Sequence, residues 1–391
     1  MSMDFDEPID RINTHSMKWD GCQALYGVSP ETGISMWVAD MDFRPPQVVN
    51  DRLAEAVAHG VHGYYGNDTP YRQAITGWMA RRHGWEVDPD WLSTVHGLVS
   101  GVGLCLQAFT APGDGVMLFT PVYHAFAKVI KAAGREVVEC PLVLTENRYE
   151  MDFDAYDTQM TGREKMLILC SPHNPGGRVW TRTELAGVAE FARRHDLIIV
   201  SDEIHHDLVM PGARHVPMAL MEGVEDRLVM MTATSKTFNI AGAHVGNVII
   251  ADASLRKIFA GRMAALGISP NSFGVFMATA AYTPEGAAWA DELVGYLDQN
   301  RQVFDAGIKA IPGLRSMPLE ATYLAWVDFS GTGMSAADFT ARVEKDARIA
   351  ANHGSSFGTG GETFLRFNIG TPRARISEAC ARLQAAFADL Q

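Results

Sequence analysis

Short apolar runs alternate with amphipathic segments through the middle of the chain. The runs are rich in Val, Ile, Leu and Met, which predicts buried strands. The segments between them repeat their apolar residues every three to four positions, which predicts helices. The predicted strands are 116–120, 137–141, 166–170 and 197–201, and the predicted helices are 123–133 and 183–195. This order of elements predicts an α/β fold with a largely parallel sheet covered by helices.

Four polar side chains follow apolar runs closely. Tyr123, Asn174 and Asp202 each come after one predicted strand, and Lys236 comes after a further apolar run at 227–231. In open parallel sheets, ligands bind beyond the carboxyl ends of the strands. We therefore expect the four side chains to converge on one site.

Lys236 lies in a polar loop between the apolar runs 227–231 and 245–250. A lysine held between buried strands loses solvation, and its neutral amine then becomes available as a nucleophile. A lysine on a surface loop is the alternative that the loop alone leaves open. Asp202 has a similar alternative, as a strand-end carboxylate that caps the next turn.

The C-terminal part of the chain predicts a smaller α+β domain. Helices are predicted at 254–266, 272–282 and 284–310, and after a break at 311–313 the strands 322–329 and 364–369 and a closing helix suggest this smaller domain. We expect a large domain at 48–285 and a small domain built from 1–47 and 286–391.

Composition narrows the classes of function. With 391 residues, of which 47% are hydrophobic, the chain can bury a large core. A net charge of −13 argues against nucleic acid or an anionic membrane as a partner. Five scattered cysteines favour reduced thiols in a cytoplasmic protein. Neither a signal peptide nor an apolar stretch long enough to cross a bilayer is recognisable.

Three motifs carry a family resemblance. They are Trp37-Val-Ala-Asp-Met-Asp-Phe43, Ser171-Pro-His-Asn-Pro-Gly-Gly-Arg-Val-Trp180 and Ser235-Lys-Thr-Phe-Asn-Ile-Ala-Gly242. The last resembles the cofactor-lysine loop of pyridoxal phosphate (PLP) enzymes of the aminotransferase fold, fold type I. More narrowly, the chain resembles the MalY/PatB-type cystathionine β-lyases, and the similarity extends from about 37 to 373.

The resemblance implies both a fold and an activity. The expected fold is a PLP-dependent transferase-like large domain with a mostly parallel sheet, together with the smaller α+β domain. The cofactor would be pyridoxal 5′-phosphate. The expected activity is carbon–sulfur β-lysis of cystathionine or other cysteine S-conjugates to thiol, pyruvate and ammonia. An aminotransferase acting on an L-amino acid is the alternative, and a PLP-bound regulatory protein with negligible turnover is another.

The resemblance also implies roles for individual residues. Lys236 would carry the cofactor and act as the base, Asp202 would face the pyridine nitrogen, and Tyr123 would stack on the ring. Asn174 would meet the ring's 3-oxygen and contact the substrate. Arg366, a charged residue in an apolar strand, would grip the substrate carboxylate, although a structural ion pair explains it equally well from sequence alone.

The phosphate group would have a weakened cradle. Many aminotransferases carry a phosphate-binding arginine and serine where this chain has His244 and Ala233. Ser235, His244 and the backbone amides of Leu98 and Val99 would have to supply the contacts, since a glycine turn that enters an apolar helix suits an anion.

Four further contacts follow from the resemblance. His205 stands where a tyrosine often assists the 3-oxygen, while Trp37 and Met41 lie in the segment that lines the substrate pocket. Tyr64, in a glycine-flanked loop, would reach the phosphate of a neighbouring subunit, which implies a homodimer with shared active sites. An exposed loop tyrosine is the alternative.

Two patterns suggest other chemistry and are set aside. The segment 354–358 fits Gly-x-Ser-x-Gly but lacks the strand-turn-helix context of a hydrolase nucleophile. The His-His-Asp at 205–207 has no accompanying metal-binding motif, and we expect no metal.

Overall fold

The computed structural model describes residues 3–390, so Met1 and Ser2 of the predicted small domain, and Gln391, lie outside the described part. The strands are β1 (Ile34–Ser35), β2 (Leu92–Val95), β3 (Gly115–Thr120), β4 (Glu136–Pro141), β5 (Val143–Thr145), β6 (Arg148–Glu150), β7 (Glu164–Cys170), β8 (Ile198–Asp202), β9 (Leu228–Thr232), β10 (Gly246–Ile249), β11 (Arg315–Ser316), β12 (Leu324–Asp328), β13 (Ile349–Ala350), β14 (Asn352–His353) and β15 (Phe364–Asn368).

The α-helices surround these strands. They are α1 (Met17–Asp20), α2 (Cys22–Tyr26), α3 (Gln47–His59), α4 (Thr69–Trp78), α5 (Leu98–Phe109), α6 (Ala125–Ala132), α7 (Phe153–Gln159), α8 (Arg182–Arg194), α9 (Ala253–Ala265), α10 (Ser272–Ala281), α11 (Pro284–Lys309), α12 (Ala336–Ala341) and α13 (Arg373–Ala386).

The large sheet has seven strands in the order β2-β10-β9-β8-β7-β3-β4. The pairs from β9 to β4 are parallel, and β10 runs antiparallel to both β9 and β2. The expected α/β fold with a mostly parallel sheet is confirmed. The predicted strands and helices of this region match β3, β4, β7, β8, α6 and α8 to within two residues.

Alternating side chains of each central strand enter different cores. Val116 and Leu118 of β3 pack in a core with α5 and α6, while Met117 and Phe119 pack in the larger core on the other face. Because successive side chains on a strand point to opposite faces, a sheet with helices on both sides needs continuous apolar runs. This is why the runs were visible in the sequence.

Among the elements that the sequence did not predict are a strand of the large sheet and an exposed hairpin. Strand β2 lies where the sequence indicated only the entry to a helix, and β5 pairs with β6 in an antiparallel hairpin. Most residues of the hairpin are exposed, so it lacks the apolar signal that identified the central strands.

A second sheet, antiparallel and four-stranded, has the order β11-β12-β15-β14. It uses only residues from the C-terminal part of the chain, and the parallel pair β1–β13 joins the N-terminal segment to that part. The division into domains at 48–285 stays a prediction.

The loop that follows β1 is held firmly. Asp42 is buried and its carboxylate pairs with Lys18 and Arg11. Burial by itself would raise the pKa of this carboxyl. Lys18 and the neighbouring donors have the larger, opposite effect, so the pKa is lowered to about 2. The side chain of Asn239, from the Lys236 loop, accepts a hydrogen bond from the backbone N–H of Met41 and donates one to the carbonyl oxygen of Met41. The N-terminal segment is thus locked against the lysine loop.

All five cysteines are free and buried. Among residues 3–390, no helix combines the length and the apolar character needed to cross a membrane.

Candidate active site

A cavity of about 320 Å³ opens where the central strands end. Residues predicted from the sequence line it: Leu98, Val99, Tyr123, Asn174, Asp202, His205, Ser235, Lys236 and His244. The structure therefore brings these nine residues together, and their individual roles stay predictions.

The sheet explains why they meet. Asp202 is the last residue of β8, and Asn174 and Lys236 lie four residues beyond the ends of β7 and β9. Tyr123 lies three residues beyond β3. Because parallel strands present their carboxyl ends at one edge, the loops that follow them leave the sheet side by side.

Lys236 faces this cavity. Its Nζ donates a 2.6 Å hydrogen bond to the carbonyl oxygen of Ala39, which also accepts a bond of 2.9 Å from the Tyr323 hydroxyl. Burial lowers the pKa of Lys236 to about 8, against the opposing pull of Asp40. A larger fraction of the amine is therefore neutral near pH 7 than for an ordinary lysine, as a nucleophile or base requires.

Asp202 is a buried carboxyl without a counter-ion. It is 4% exposed, and its Oδ1 accepts a 3.1 Å hydrogen bond from the backbone N–H of Ile204. No ion pair to Asp202 forms among the described residues, and burial raises its pKa to about 7. A cationic group in the cavity would relieve this cost, because an opposite charge favours the ionised form.

The N-terminus of α5 faces the cavity. Gly97 precedes the helix with φ of 88°, a conformation that side chains other than glycine rarely adopt. The first turn, from Leu98 and Val99 onward, presents N–H groups without helical partners and the positive end of the helix dipole. This end of α5 lines the same cavity.

Arg366 is a buried cation held only by neutral acceptors. It is 2% exposed, and its Nη atoms donate to Asn174 Oδ1 at 2.9 Å and to the Trp37 carbonyl at 2.7 Å. The Asn352 side chain also accepts from it, Nε has no partner, and burial lowers the pKa of the guanidinium to about 10. Within residues 3–390 it forms no ion pair, so the structural alternative raised by the sequence does not hold there.

A second opening, of about 710 Å³, leads outward from the cavity, and we call it the outer cleft. Ala39, Tyr123 and Lys236 line both spaces. Trp37 and Arg366 line the outer cleft, so a molecule lying there can reach Lys236 and Arg366 at once.

Comparison with known proteins decides the family. Residues 32–383 match the family model described as aminotransferase class I and II. The chain belongs to this family. Cystathionine beta-lyase PatB of Bacillus subtilis (strain 168) is 38% identical over 388 residues, which cover 98% of this chain and 100% of the relative.

Solved structures agree with the family assignment. Cystalysin from Treponema denticola, which contains a pyridoxal 5′-phosphate cofactor, superposes with a TM-score of 0.95 at 34% identity and covers 100% of both chains. The PLP-bound C-S lyase from Staphylococcus hominis has a TM-score of 0.90 at 30% identity and covers 99% of both chains. The resemblance stated from the motifs is confirmed.

One predicted contact of this aminotransferase-family chain needs correction. Met41 was expected at the substrate, but its side chain is 0% exposed, packs in the large core and lines neither the cavity nor the outer cleft. The bonds from Asn239 to its backbone fix the loop so that this side chain turns inward. Trp37, from the same motif, does line the outer cleft.

Tyr64 lies away from the chain's own cavity. Its side chain is fully exposed, at 105%, beside a groove formed with α3 and α10. The neighbouring His62 and Tyr65 pack against Phe273 and Phe276, so the loop is anchored while Tyr64 projects from it. Its role at a partner's site stays a prediction.

Sequence reasoning missed several residues of the site. Ala39 acts through its carbonyl oxygen, which any residue could offer, and Asn352 holds Arg366 only because β14 pairs with β15 in that register. Tyr26 bonds Asn352 at 3.0 Å from a helix far away in the sequence. A strand predicted at 352–353 would have been a signal for Asn352, because pairing with β15 in this register places Asn352 opposite Arg366.

The His-His-Asp segment joins a buried network. Asp207 Oδ1 accepts hydrogen bonds from Trp78 and His83. Its Oδ2 accepts one from Thr237 and lies 3.2 Å from Nε2 of His206. His83, distant in sequence, was not foreseen. One of its ring nitrogens, a ring nitrogen of His206 and a carboxylate oxygen of Asp207 all lie within 4.8 Å of one another. Since several donors already satisfy Asp207, the network serves to tie α4 to the lysine loop.

Proposed function

We propose that the chain is a PLP-dependent carbon–sulfur β-lyase that converts cystathionine or other cysteine S-conjugates to thiol, pyruvate and ammonia. The observation that carries the proposal is the pairing, in one cavity, of a lysine with a lowered pKa and a buried carboxyl without a counter-ion. The named relatives and their PLP-bound structures support it.

The residues present fit pyridoxal phosphate. Asp202 lacks a cation and would face the protonated pyridine nitrogen, while the first turn of α5 would take the phosphate. His205 lines the same cavity, and its buried Nδ1 finds no hydrogen-bond partner among the described residues. Arg366 holds Oδ1 of Asn174, which leaves the amide nitrogen of Asn174 to donate to the 3-oxygen.

The chain's own residues would then divide the work. When bound, pyridoxal phosphate withdraws electrons from the substrate Cα and makes its proton acidic. Arg366 holds the α-carboxylate, and the amine of Lys236 removes the Cα proton as general base. Asp202 keeps the pyridine nitrogen protonated, because its carboxylate stabilises the positive charge there. The β-sulfur leaves as thiolate, and water hydrolyses the remaining fragment, which keeps three carbons and the α-amino nitrogen, to pyruvate and ammonia.

Incubation with L-cystathionine tests this function. We expect thiol and pyruvate in equal amounts, without any requirement for a 2-oxo acid, and no pyruvate from L-alanine, which lacks a β leaving group. Transfer of the amino group to 2-oxoglutarate without thiol release would instead identify an aminotransferase. Absorbance of the bound cofactor that no amino acid changes would indicate a binding role without turnover.

We also propose that the working unit is a homodimer with shared sites. The support is the anchored loop that projects Tyr64 beside further exposed apolar side chains, Val57 and Val61. An exposed apolar patch of this kind marks an interaction surface, and two-fold pairing is the commonest assembly. The partner's cavity, short of phosphate ligands, would receive the tyrosine hydroxyl.

The free, buried cysteines fit a cytoplasmic location, which we propose as well.

Mixed dimers test the shared site. Tyr64→Phe should lower activity by roughly tenfold or more, because it removes a hydrogen bond to a charged group. Refolded together with inactive Lys236→Ala, it should recover toward about a quarter of wild-type activity, since half the dimers are mixed and each holds one complete site. Tyr65→Phe, in the same loop, serves as the control and should stay active. An impaired Tyr64→Phe that mixing leaves unchanged, or an active monomer in sedimentation, would contradict shared sites.

A further inference from the structure

One wall of the outer cleft is a face of α6. His124, which directly precedes α6, and Ala127, Lys128 and Lys131 of α6 all line the cleft. Ala127 and Lys128 lie three and four residues after His124, and Lys131 lies three residues after Lys128. Residues at this spacing lie on one side of a helix. The small side chain of Ala127 leaves room between the cations. We call these four residues the α6 face.

The α6 face carries positive charge that the protein does not neutralise. Neither Lys128 nor Lys131 forms an ion pair within the described part of the chain, although the sequence as a whole has a net charge of −13. Among residues 3–390, no carboxylate lines the outer cleft. Two acids adjoin the cleft without lining it. His353 bonds Glu344 at 2.6 Å, and Asp40, which follows Ala39, pairs with Arg11 at 2.8 Å.

The His124 ring lies in a buried, positively charged environment. Its Nδ1 is buried without a hydrogen-bond partner. Burial lowers the pKa of His124 to about 4, and both Arg366 and Lys128 add to the lowering. Arg366, which would hold the α-carboxylate, and Lys128 of the α6 face therefore act on the same space.

We propose that the α6 face binds a carboxylate on the S-substituent, so that the preferred substrates are cysteine S-conjugates with an acidic S-substituent. The proposal rests on the C–S lyase function proposed above. The α-carboxylate goes to Arg366 and the second carboxylate goes to Lys128 and Lys131, whose backbones lie about 6 and 10 Å along the helix from His124. The distal ammonium group of cystathionine meets no acid in this cleft, so an S-carboxyalkyl cysteine is the better match.

A matched pair of substrates tests the proposal. S-(2-carboxyethyl)-L-cysteine and S-(2-carbamoylethyl)-L-cysteine have nearly the same shape and differ in one charge. The ratio of kcat/KM, acid over amide, should be about ten in the wild-type protein, as two partly exposed ion pairs can supply together. The Lys128→Ala/Lys131→Ala double variant should bring this ratio close to one.

Two controls separate charge recognition from structural damage. Lys165→Ala/Lys309→Ala removes two other exposed lysines that line neither space, and should keep the wild-type ratio. Raising the salt to 1 M, where the Debye length is about 3 Å, should lower the wild-type ratio and leave that of the double variant unchanged.

The outcomes distinguish the two proposals. A wild-type ratio near one, or a ratio that the Lys128→Ala/Lys131→Ala change leaves intact, overturns the role of the α6 face while the lyase function stands. If neither conjugate releases thiol, the lyase function fails. The dissociation constants of the two conjugates, measured by calorimetry on the same proteins, then give the ratio that tests the α6 face by itself.

Discussion

Replacing Lys236 by alanine should lower the turnover of cysteine S-conjugates by at least about 10⁴-fold, because one amine serves both as cofactor anchor and as general base. In the described part of the chain, Lys236 has no second lysine beside it in the cavity lining. Thiol release under single-turnover conditions measures the loss. The variant should remain folded by circular dichroism, since the Lys236 side chain makes one hydrogen bond, to a loop carbonyl that Tyr323 also holds.

Chemical rescue sharpens this prediction. A small primary amine such as ethylamine should restore part of the turnover of Lys236→Ala, because the deleted side chain leaves space for a free base. The control is Lys165→Ala, which removes a surface lysine bonded to the carbonyl of Gly162 and should act like wild type. Near-normal turnover by Lys236→Ala without added amine would place the chemistry elsewhere.

The second large effect is expected at Asp202. Asp202→Ala should lower kcat by at least about 10³-fold, on the order of 4 kcal/mol in the barrier, because nothing would then maintain the positive charge on the pyridine nitrogen. Asp202→Asn, of the same shape but without charge, should lose nearly as much. Steady-state kinetics with saturating cofactor measure both losses, and an Asp202→Asn enzyme of normal kcat would contradict the role.

Asp202 is expected to raise turnover but to lower the stability of the folded protein. Its folded-state pKa of about 7 lies above the ordinary 3.8, so the cofactor-free protein loses stability as the pH rises between these values. Above pH 7 the loss is complete, at roughly 4 kcal/mol. Asp202→Asn should therefore unfold at higher denaturant concentration than wild type at pH 8, and should show little gain at pH 4. A functional carboxyl is tolerated here at the expense of stability.

Local sequence pattern determined the central sheet and most of the site. Strands β3, β7 and β8 are buried on both faces, so their apolar runs were unambiguous, and the site residues directly follow such strands. Once the strands are parallel and adjacent, convergence of Asp202 and Lys236 follows from geometry. The exposed hairpin β5–β6 lacks this signal and could not be predicted from the sequence.

Only the tertiary structure decided how the site is held. The carbonyl of Ala39 bonds Lys236 across 197 residues, and Asn352 reaches Arg366 through strand register. A backbone oxygen carries no residue identity, and pairing of short strands leaves little pattern in a sequence, so neither contact is visible there. Met41 shows the same limit, because its motif identified the loop, while the bonds from Asn239 determined which way the side chain points. The sequence by itself thus determined which residues are available for chemistry, and long-range packing determined their partners and their orientation.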